Sequence, residues 1–187
     1  MSNYFDELTR TMAELSKHDK VKFIGQSVVW DGHALFKTLK DVPIEKRVEL
    51  PVSEDFQLGL STGLALEGWI PISIYPRMDF LILAANQLTN HLVNIATVSK
   101  GGYKPRVIIR TSMGATGPLY SGLQHCQDHS AVFRLLCRNG VEVAELRRKD
   151  QIFSSYMNAL TREDCKPTLL IEYGDLYNLQ EEVNVLD

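Results

Sequence analysis

The stretch Leu50-Pro51-Val52-Ser53-Glu54-Asp55 puts a carboxylate at the mouth of a predicted helix that carries Gly59 and Gly63. Proline stiffens the turn, serine is a common helix N-cap, and the acid then stands at the positive end of the helix. Glu54 is therefore either an ordinary helix-start acid or a buried acid/base aimed at a ligand. The two glycines favour a special purpose, because each costs a helix about 1 kcal/mol relative to alanine. Their spacing of four puts both on one face, where another backbone could come close.

A second group follows a glycine-rich stretch, in Gln124-His125-Cys126-Gln127. His125 reads as a loop histidine bonded to backbone or as an active-site group. A Cys126–His nucleophile pair is conceivable, but sequence neighbours seldom face each other. His125 and His129 have a metal-site spacing without an evident third ligand, so no metal is expected on this chain. The loop Met113-Gly114-Ala115-Thr116-Gly117-Pro118 suggests phosphate binding only weakly, since it lacks both the Gly-Lys-Ser/Thr ending and the Gly-x-Gly-x-x-Gly spacing.

The elements that must position these groups alternate. Residues 4–17 carry Leu8, Met12 and Leu15 on one helical stripe. Strands are predicted at 21–24, 47–50, 70–74, 106–110, 141–144 and 168–171, and helices at 55–67, 127–136 and 150–160. A loop with a short helix near 34–39 fills 26–46. The alternation predicts an α/β fold, a three-layer arrangement with a mostly parallel sheet flanked by helices. One domain is expected over 1–178, followed by a short acidic tail at 179–187.

Residues 80–99 contain no Asp, Glu, Lys or Arg. Asn86, Gln87, Asn90, His91 and Asn94 make them too polar for a membrane span. A surface helix should show a charged face, so this segment is expected to be a helix buried on nearly all sides, either inside the domain or under a partner subunit.

The chain has 187 residues, with 44% apolar residues and a net charge of −3. That balance fits a globular domain with a real core and no nucleic-acid footprint. Three cysteines, Cys126, Cys137 and Cys165, without metal-ligand spacing suit a reducing compartment. No basic start followed by an apolar run opens the sequence, so a cytoplasmic location is expected.

In order along the chain, these pieces resemble the pyrimidine-binding domain of thiamine-diphosphate enzymes, in particular the β subunit of the decarboxylating component of 2-oxo-acid dehydrogenases, within the transketolase superfamily. Arg47-Val48-Glu49-Leu50-Pro51-Val52-Ser53-Glu54 resembles the family's Arg-Val-x-Asp-Thr-Pro-Ile-Ser-Glu with its spacing shortened. Gly59, Gly63, Ala65 and Gly68 resemble the small residues that follow it. Asp79-Phe80, then Asn86-Gln87-Leu88 and Asn90, resemble the aromatic and Asp-Gln-Ile-x-Asn segment. Ser99-Lys100-Gly101-Gly102, Gln124-His125-Cys126-Gln127 and Pro167-Thr168-Leu169-Leu170-Ile171-Glu172 resemble later landmarks.

The resemblance implies a cofactor, thiamine diphosphate with Mg²⁺, lying between this domain and a diphosphate-binding domain. Glu54 would hydrogen-bond a ring nitrogen of the aminopyrimidine and favour the imino tautomer that activates the thiazolium carbon. Phe80 would stack on the aminopyrimidine, Gln87 falls in the same cofactor-binding segment, and His125 would stand near the substrate. The substrate would be a small carbonyl compound, either a 2-oxo acid or a ketose.

The chain also departs from the family pattern. It lacks the Gly-Asp-Gly and Asn-Asn metal and diphosphate signature, so a separate α-type subunit is expected to supply those contacts, in an α2β2 assembly. No counterpart of the family's C-terminal domain is read in these 187 residues, so a standard lipoyl-linked complex is not expected. Gln26 replaces an acid that the family uses to link active sites. A noncatalytic binding or regulatory protein that reuses the fold is the alternative.

Overall fold

The computed structural model describes residues 3–117 and 120–178; the acidic tail expected at 179–187 lies outside them. Six strands form one sheet in the order β2-β1-β3-β4-β6-β5. They are β1 (Val21–Gly25), β2 (Arg47–Glu49), β3 (Ile70–Tyr75), β4 (Ile108–Met113), β5 (Glu142–Leu146) and β6 (Thr168–Tyr173). Every neighbouring pair is parallel, with Phe23 opposite Ile72 and Ile72 opposite Ile108. β3 and β6 are buried along their whole length, as strands covered on both faces must be.

Helices cover both faces and make three layers. Alternation along each strand sends successive side chains to opposite faces. On one face Phe23, Ile72, Ile108 and Leu170 meet Leu8, Met12 and Leu15 of α1 (Tyr4–Ser16) and Ile152 and Tyr156 of α7 (Lys149–Thr161). On the other, Tyr75, Ile109, Leu169 and Ile171 meet Leu58 and Ala65 of α3 (Glu54–Leu66), Leu88 and Leu92, and Phe133 of α6 (Ser130–Cys137). The short α2 (Ala34–Lys37) lies in the loop between β1 and β2, where a short helix was expected.

The uncharged segment is helical, as expected, but irregular: α4 (Met78–Leu81), a 3₁₀ stretch (Ile82–Ala84), a π stretch (Gln87–Leu92) and α5 (Ile95–Val98) follow one another, with right-handed helical backbone at the junctions Ile82, Ala85, Asn86 and Val93. Within this chain it is not buried on nearly all sides. Leu81, Ala84, Leu88 and Leu92 face the core, whereas Leu83 is 64% and Val98 79% exposed. Asparagine side chains that bond locally loosen the helix: Asn94 Nδ2 donates to the Thr89 carbonyl at 2.8 Å and Asn90 Nδ2 to Asn86 Oδ1 at 2.8 Å.

Candidate functional site

In a parallel sheet the turns after the strands gather at one edge, and ligands bind where successive connections leave in opposite directions. Here that place lies between β1 and β3, because β1 leads outward to β2 while the chain returns from β2 to β3 on β1's other side. The turns after β1, β2, β3 and β4 carry Gln26, Glu54, Phe80 and His125 to this edge.

Close approach at this edge depends on Gly25. Its φ is +146°, and a Cβ there would stand 2.2 Å from the Ile74 carbonyl oxygen and 2.8 Å from Gln57 Nε2. The chain can therefore turn tightly and put the buried Gln26 amide against the buried Glu54.

Glu54 is the first residue of α3 and is 4% exposed. Gln26 Nε2 donates to its Oε1 at 3.2 Å, and Tyr75 Oη donates to its backbone carbonyl at 3.4 Å. Among the described residues no cation pairs with this carboxylate. Ser53 occupies the N-cap position but makes no side-chain cap bond, contrary to the expected capping serine. At φ −160° and ψ 82° it serves through its carbonyl, which accepts from Gln57 N at 2.9 Å. The Gln57 side chain is buried and ties α3 to β3, donating to the Ile74 carbonyl at 2.9 Å and to Ser73 Oγ at 3.2 Å.

The two glycines of α3 divide in role. No backbone comes close to either. A Cβ on Gly59 would meet the Gln87 side chain at 3.5 Å, while Gly63 has nothing within 4 Å. Gln87 Nε2 also reaches Asp55 Oδ2 at 3.4 Å, so Gln87 braces the first turns of α3, on which Glu54 stands.

Phe80 is half-buried and meets the His125 ring edge-to-face, with centroids 5.6 Å apart. Arg77 holds this arrangement: Nη1 donates to the His125 carbonyl and Nη2 to Ser121 Oγ, each at 3.0 Å. Gly114 makes room, since a Cβ there would lie 1.9 Å from the His125 carbonyl oxygen and 2.7 Å from Arg77 Nη1. His125 Nδ1 is buried and has no hydrogen-bond partner. The Phe80–His125 pair and the Glu54–Gln26 pair occupy one edge, without direct contact between the pairs among the described residues.

The remaining chemical suggestions of the sequence come apart. Cys126 Sγ donates to the Ala115 carbonyl at 3.2 Å rather than to a histidine. His129 turns to Asp79, 3.8 Å away, while His125 packs on Phe80. The backbone N–H groups of Thr116 and Gly117 donate to Asp175 Oδ1 at 2.6 and 3.2 Å, so those donors of the glycine-rich loop already hold a carboxylate. Pro118 falls outside the described residues.

Two features went unforeseen. The Glu49 carboxylate accepts from the backbone N–H groups of Ser27, Val28 and Val29 at 2.7–2.8 Å and so fixes the loop after β1. Behind the site, Arg110 and Glu172 form a fully buried two-pronged ion pair at 2.8 and 3.0 Å. Tyr156 Oη donates to Glu172 at 2.5 Å, and Tyr177 Oη donates to its other oxygen. Burial, then the Glu172 carboxylate, hold both phenols well above their ordinary range. Burial works against the Arg110 charge, but the Glu172 carboxylate outweighs it and keeps the guanidinium protonated. The residues of this pair are 62 apart in sequence; Glu172 ends the stretch 167–172 that resembles a family landmark, but nothing local marks Arg110 as its partner.

No family profile matches the chain. Relatives are found over nearly its whole length. The chain is 27% identical to a pyruvate dehydrogenase E1 component subunit beta from Gracilaria tenuistipitata var. liui over 184 residues, covering 96% of the chain and 55% of the relative. It is 29% identical to the protein of the same name from Porphyra purpurea, covering 96% and 54%. The chain thus spans about half the length of the curated relatives it matches. Among solved structures, a split-gene transketolase described as an inactive β4 tetramer superposes with a TM-score of 0.66 at 16% identity, over 92% of this chain and 51% of that one.

Proposed function

We propose that this chain, a relative of E1 β subunits with the fold of a split transketolase, is the pyrimidine-binding subunit of a thiamine-diphosphate-dependent enzyme. The enzyme acts on a 2-oxo acid or a ketose. A separate α-type subunit supplies the diphosphate and Mg²⁺ contacts, in an α2β2 assembly in the cytoplasm.

The observation that carries this is the state of Glu54. A carboxylate 4% exposed, with one neutral amide donor and no cation among the described residues, keeps acceptor capacity for a ligand N–H. A ring nitrogen of an aminopyrimidine fits that need. The half-buried face of Phe80 offers a surface for a flat ring, and the unpartnered His125 Nδ1 offers a further polar contact. These residues fit the pyrimidine end of the cofactor. Among the described residues the N–H groups of Thr116 and Gly117 offer no comparable fit for the diphosphate end, because Asp175 occupies them.

Bound there, thiamine diphosphate supplies an electron sink for chemistry at a carbonyl carbon. Glu54 holds or moves a proton at the ring nitrogen it faces. Gln26 fixes which carboxylate oxygen remains free, and Gln87, through Asp55 and Gly59, holds the helix turn that aims the acid. His125 stands where a substrate oxygen could accept or donate a proton. Exposed apolar side chains, Val52 at 78% and Phe56, flank Glu54 in sequence, and Trp30 in the loop after β1 is 72% exposed. They suit a subunit that closes the site and excludes water.

The test is calorimetric binding of thiamine diphosphate with Mg²⁺, to this chain alone and mixed with a diphosphate-binding subunit. Tight binding only in the mixture is expected, lost in Glu54→Ala. Glu54→Gln should lower turnover at least about 100-fold, in the range of a lost acid/base group. Near-normal turnover in that variant would refute the role of Glu54, and no binding in the mixture would favour a noncatalytic protein on the same fold.

A further inference from the structure

Arg77 is a cation without an acid. It is half-buried beside Phe80 and His125, and it forms no ion pair among the described residues. Its two hydrogen bonds among the described residues go to neutral oxygens, the His125 carbonyl and Ser121 Oγ. An arginine carries five donors in a planar fork, so these two bonds leave donors free. The other arginine of the region, Arg110, is neutralised by Glu172 but keeps a buried Nη1 without a partner. His125 Nδ1 is a second buried polar atom without a partner. A chain of net charge −3 therefore places an unpaired guanidinium beside the unpartnered His125 Nδ1 at the edge of its sheet.

The surroundings agree. His33, in the loop after β1, is lowered to about 4 by burial and then by the charges of Arg77 and Arg110. The imidazole is neutral at pH 7, with Nδ1 accepting from Leu35 N at 3.3 Å. Nε2 of the neutral ring then carries the proton and is a donor.

We infer that Arg77, together with the free Nδ1 of His125, forms a subsite for an oxyanion group of the substrate, a carboxylate or a phosphate. A fork-like guanidinium in a partly dry site suits two-pronged recognition of such a group. Assigning the anion to the substrate rests on the cofactor reading above; the anion site itself does not. Arg77 then selects among carbonyl substrates, favouring those with an anionic group near the reacting carbon.

Histidine NMR of this full chain tests the subsite directly, with sodium pyruvate, inorganic phosphate and sodium chloride as probes. Saturable shifts of the His125 and His33 ring signals are expected with pyruvate or phosphate but not with chloride. Arg77→Met should weaken binding at least tenfold, and Arg77→Lys, which keeps the charge and loses the fork, should fall between. Should Arg77→Met fail to fold, Arg77→Lys carries the test: unchanged affinity there would overturn the two-pronged site. Tighter pyruvate binding identifies a carboxylate substrate, and tighter phosphate binding a phosphorylated one. No saturable shift, or equal weak shifts with all three salts, would mean an adventitious ion only and overturn the proposal. If anions bind as expected while the mixture with its partner fails to bind thiamine diphosphate, the cofactor reading falls and the subsite stands.

Discussion

A buried charge is tolerable only when its partners stay in place, and Arg110–Glu172 is this protein's severest case. Both side chains are wholly buried, and two tyrosine hydroxyls complete the carboxylate's shell. Removing one partner strands the other in a medium that cannot solvate it. Glu172→Ala is expected to destabilise the chain by about 3–5 kcal/mol, whereas replacing both partners by apolar residues should cost less. Urea unfolding of the single and double variants checks this, and a loss below about 1 kcal/mol in the single variant would contradict it. Glu54 was legible in the sequence because a proline, a helix start and small residues surround it. The pairings of Arg110, Glu172 and Glu49 were not, because a partner far along the chain leaves no local pattern. Arg77 was passed over for a related reason: its meaning lies in an acid that is absent from its surroundings.

The strand and helix positions were largely readable from periodicity, since buried parallel strands are short apolar runs between polar turns. Residues 80–99 left two readings open, because a helix inside a core and a helix under a partner show the same lack of charge. The segment mixes α, 3₁₀ and π hydrogen-bonding patterns rather than holding one regular ladder. Backbone amides at 82–98 should therefore exchange with solvent far faster than those of β3 and β4, and adding the diphosphate-binding subunit should slow them. Unchanged exchange in the mixture would place that subunit elsewhere. A different linkage joins the far end of the sheet. Glu145 on β5 accepts from Tyr173 on β6 at 2.5 Å and from Arg134 of α6 at 2.6 Å, and it also pairs with Arg147. Burial tends to raise its carboxyl, but the Tyr173 hydroxyl and the two arginines outweigh this and hold it at about 2, below the ordinary 4.5. A lowered folded-state value means stability that is present above about 4.5 and lost as pH falls toward about 2. Glu145→Gln should thus cost about 1–2 kcal/mol at pH 7 after allowance for solvent screening, and progressively less in acid. Thermal melts across that range decide it; a deficit independent of pH would point to packing instead.

At the scale of the whole molecule, the proposed function makes this chain one half of a site, and its uncharged segment an exposed flank. No helix among the described residues is long and apolar enough to cross a membrane. Leu83 and Val98, both well exposed, give a way to test the flank without substituting Glu54 or His125. Leu83→Asp with Val98→Asp should leave the chain's own unfolding midpoint nearly unchanged, as surface substitutions usually do. The same pair should weaken association with the partner at least tenfold in sedimentation, since an unpaired charge is costly in a dry interface. Full association by the doubly charged variant would remove this surface from the assembly.

The sheet order carries a consequence for synthesis. β6, last of the six strands to leave the ribosome, is an interior strand, seated between β4 and β5. Until residues 168–173 emerge, β5 has no strand to pair with and β4 lacks one of its two neighbours. Arg110 meanwhile waits for a carboxylate that has not yet been translated. The nascent chain must therefore keep β5 unpaired and one side of β4 open until β6 is translated, exposing unpaired edges while it does so. Ribosome stalling between β5 and β6 would hence be a particular hazard for this fold.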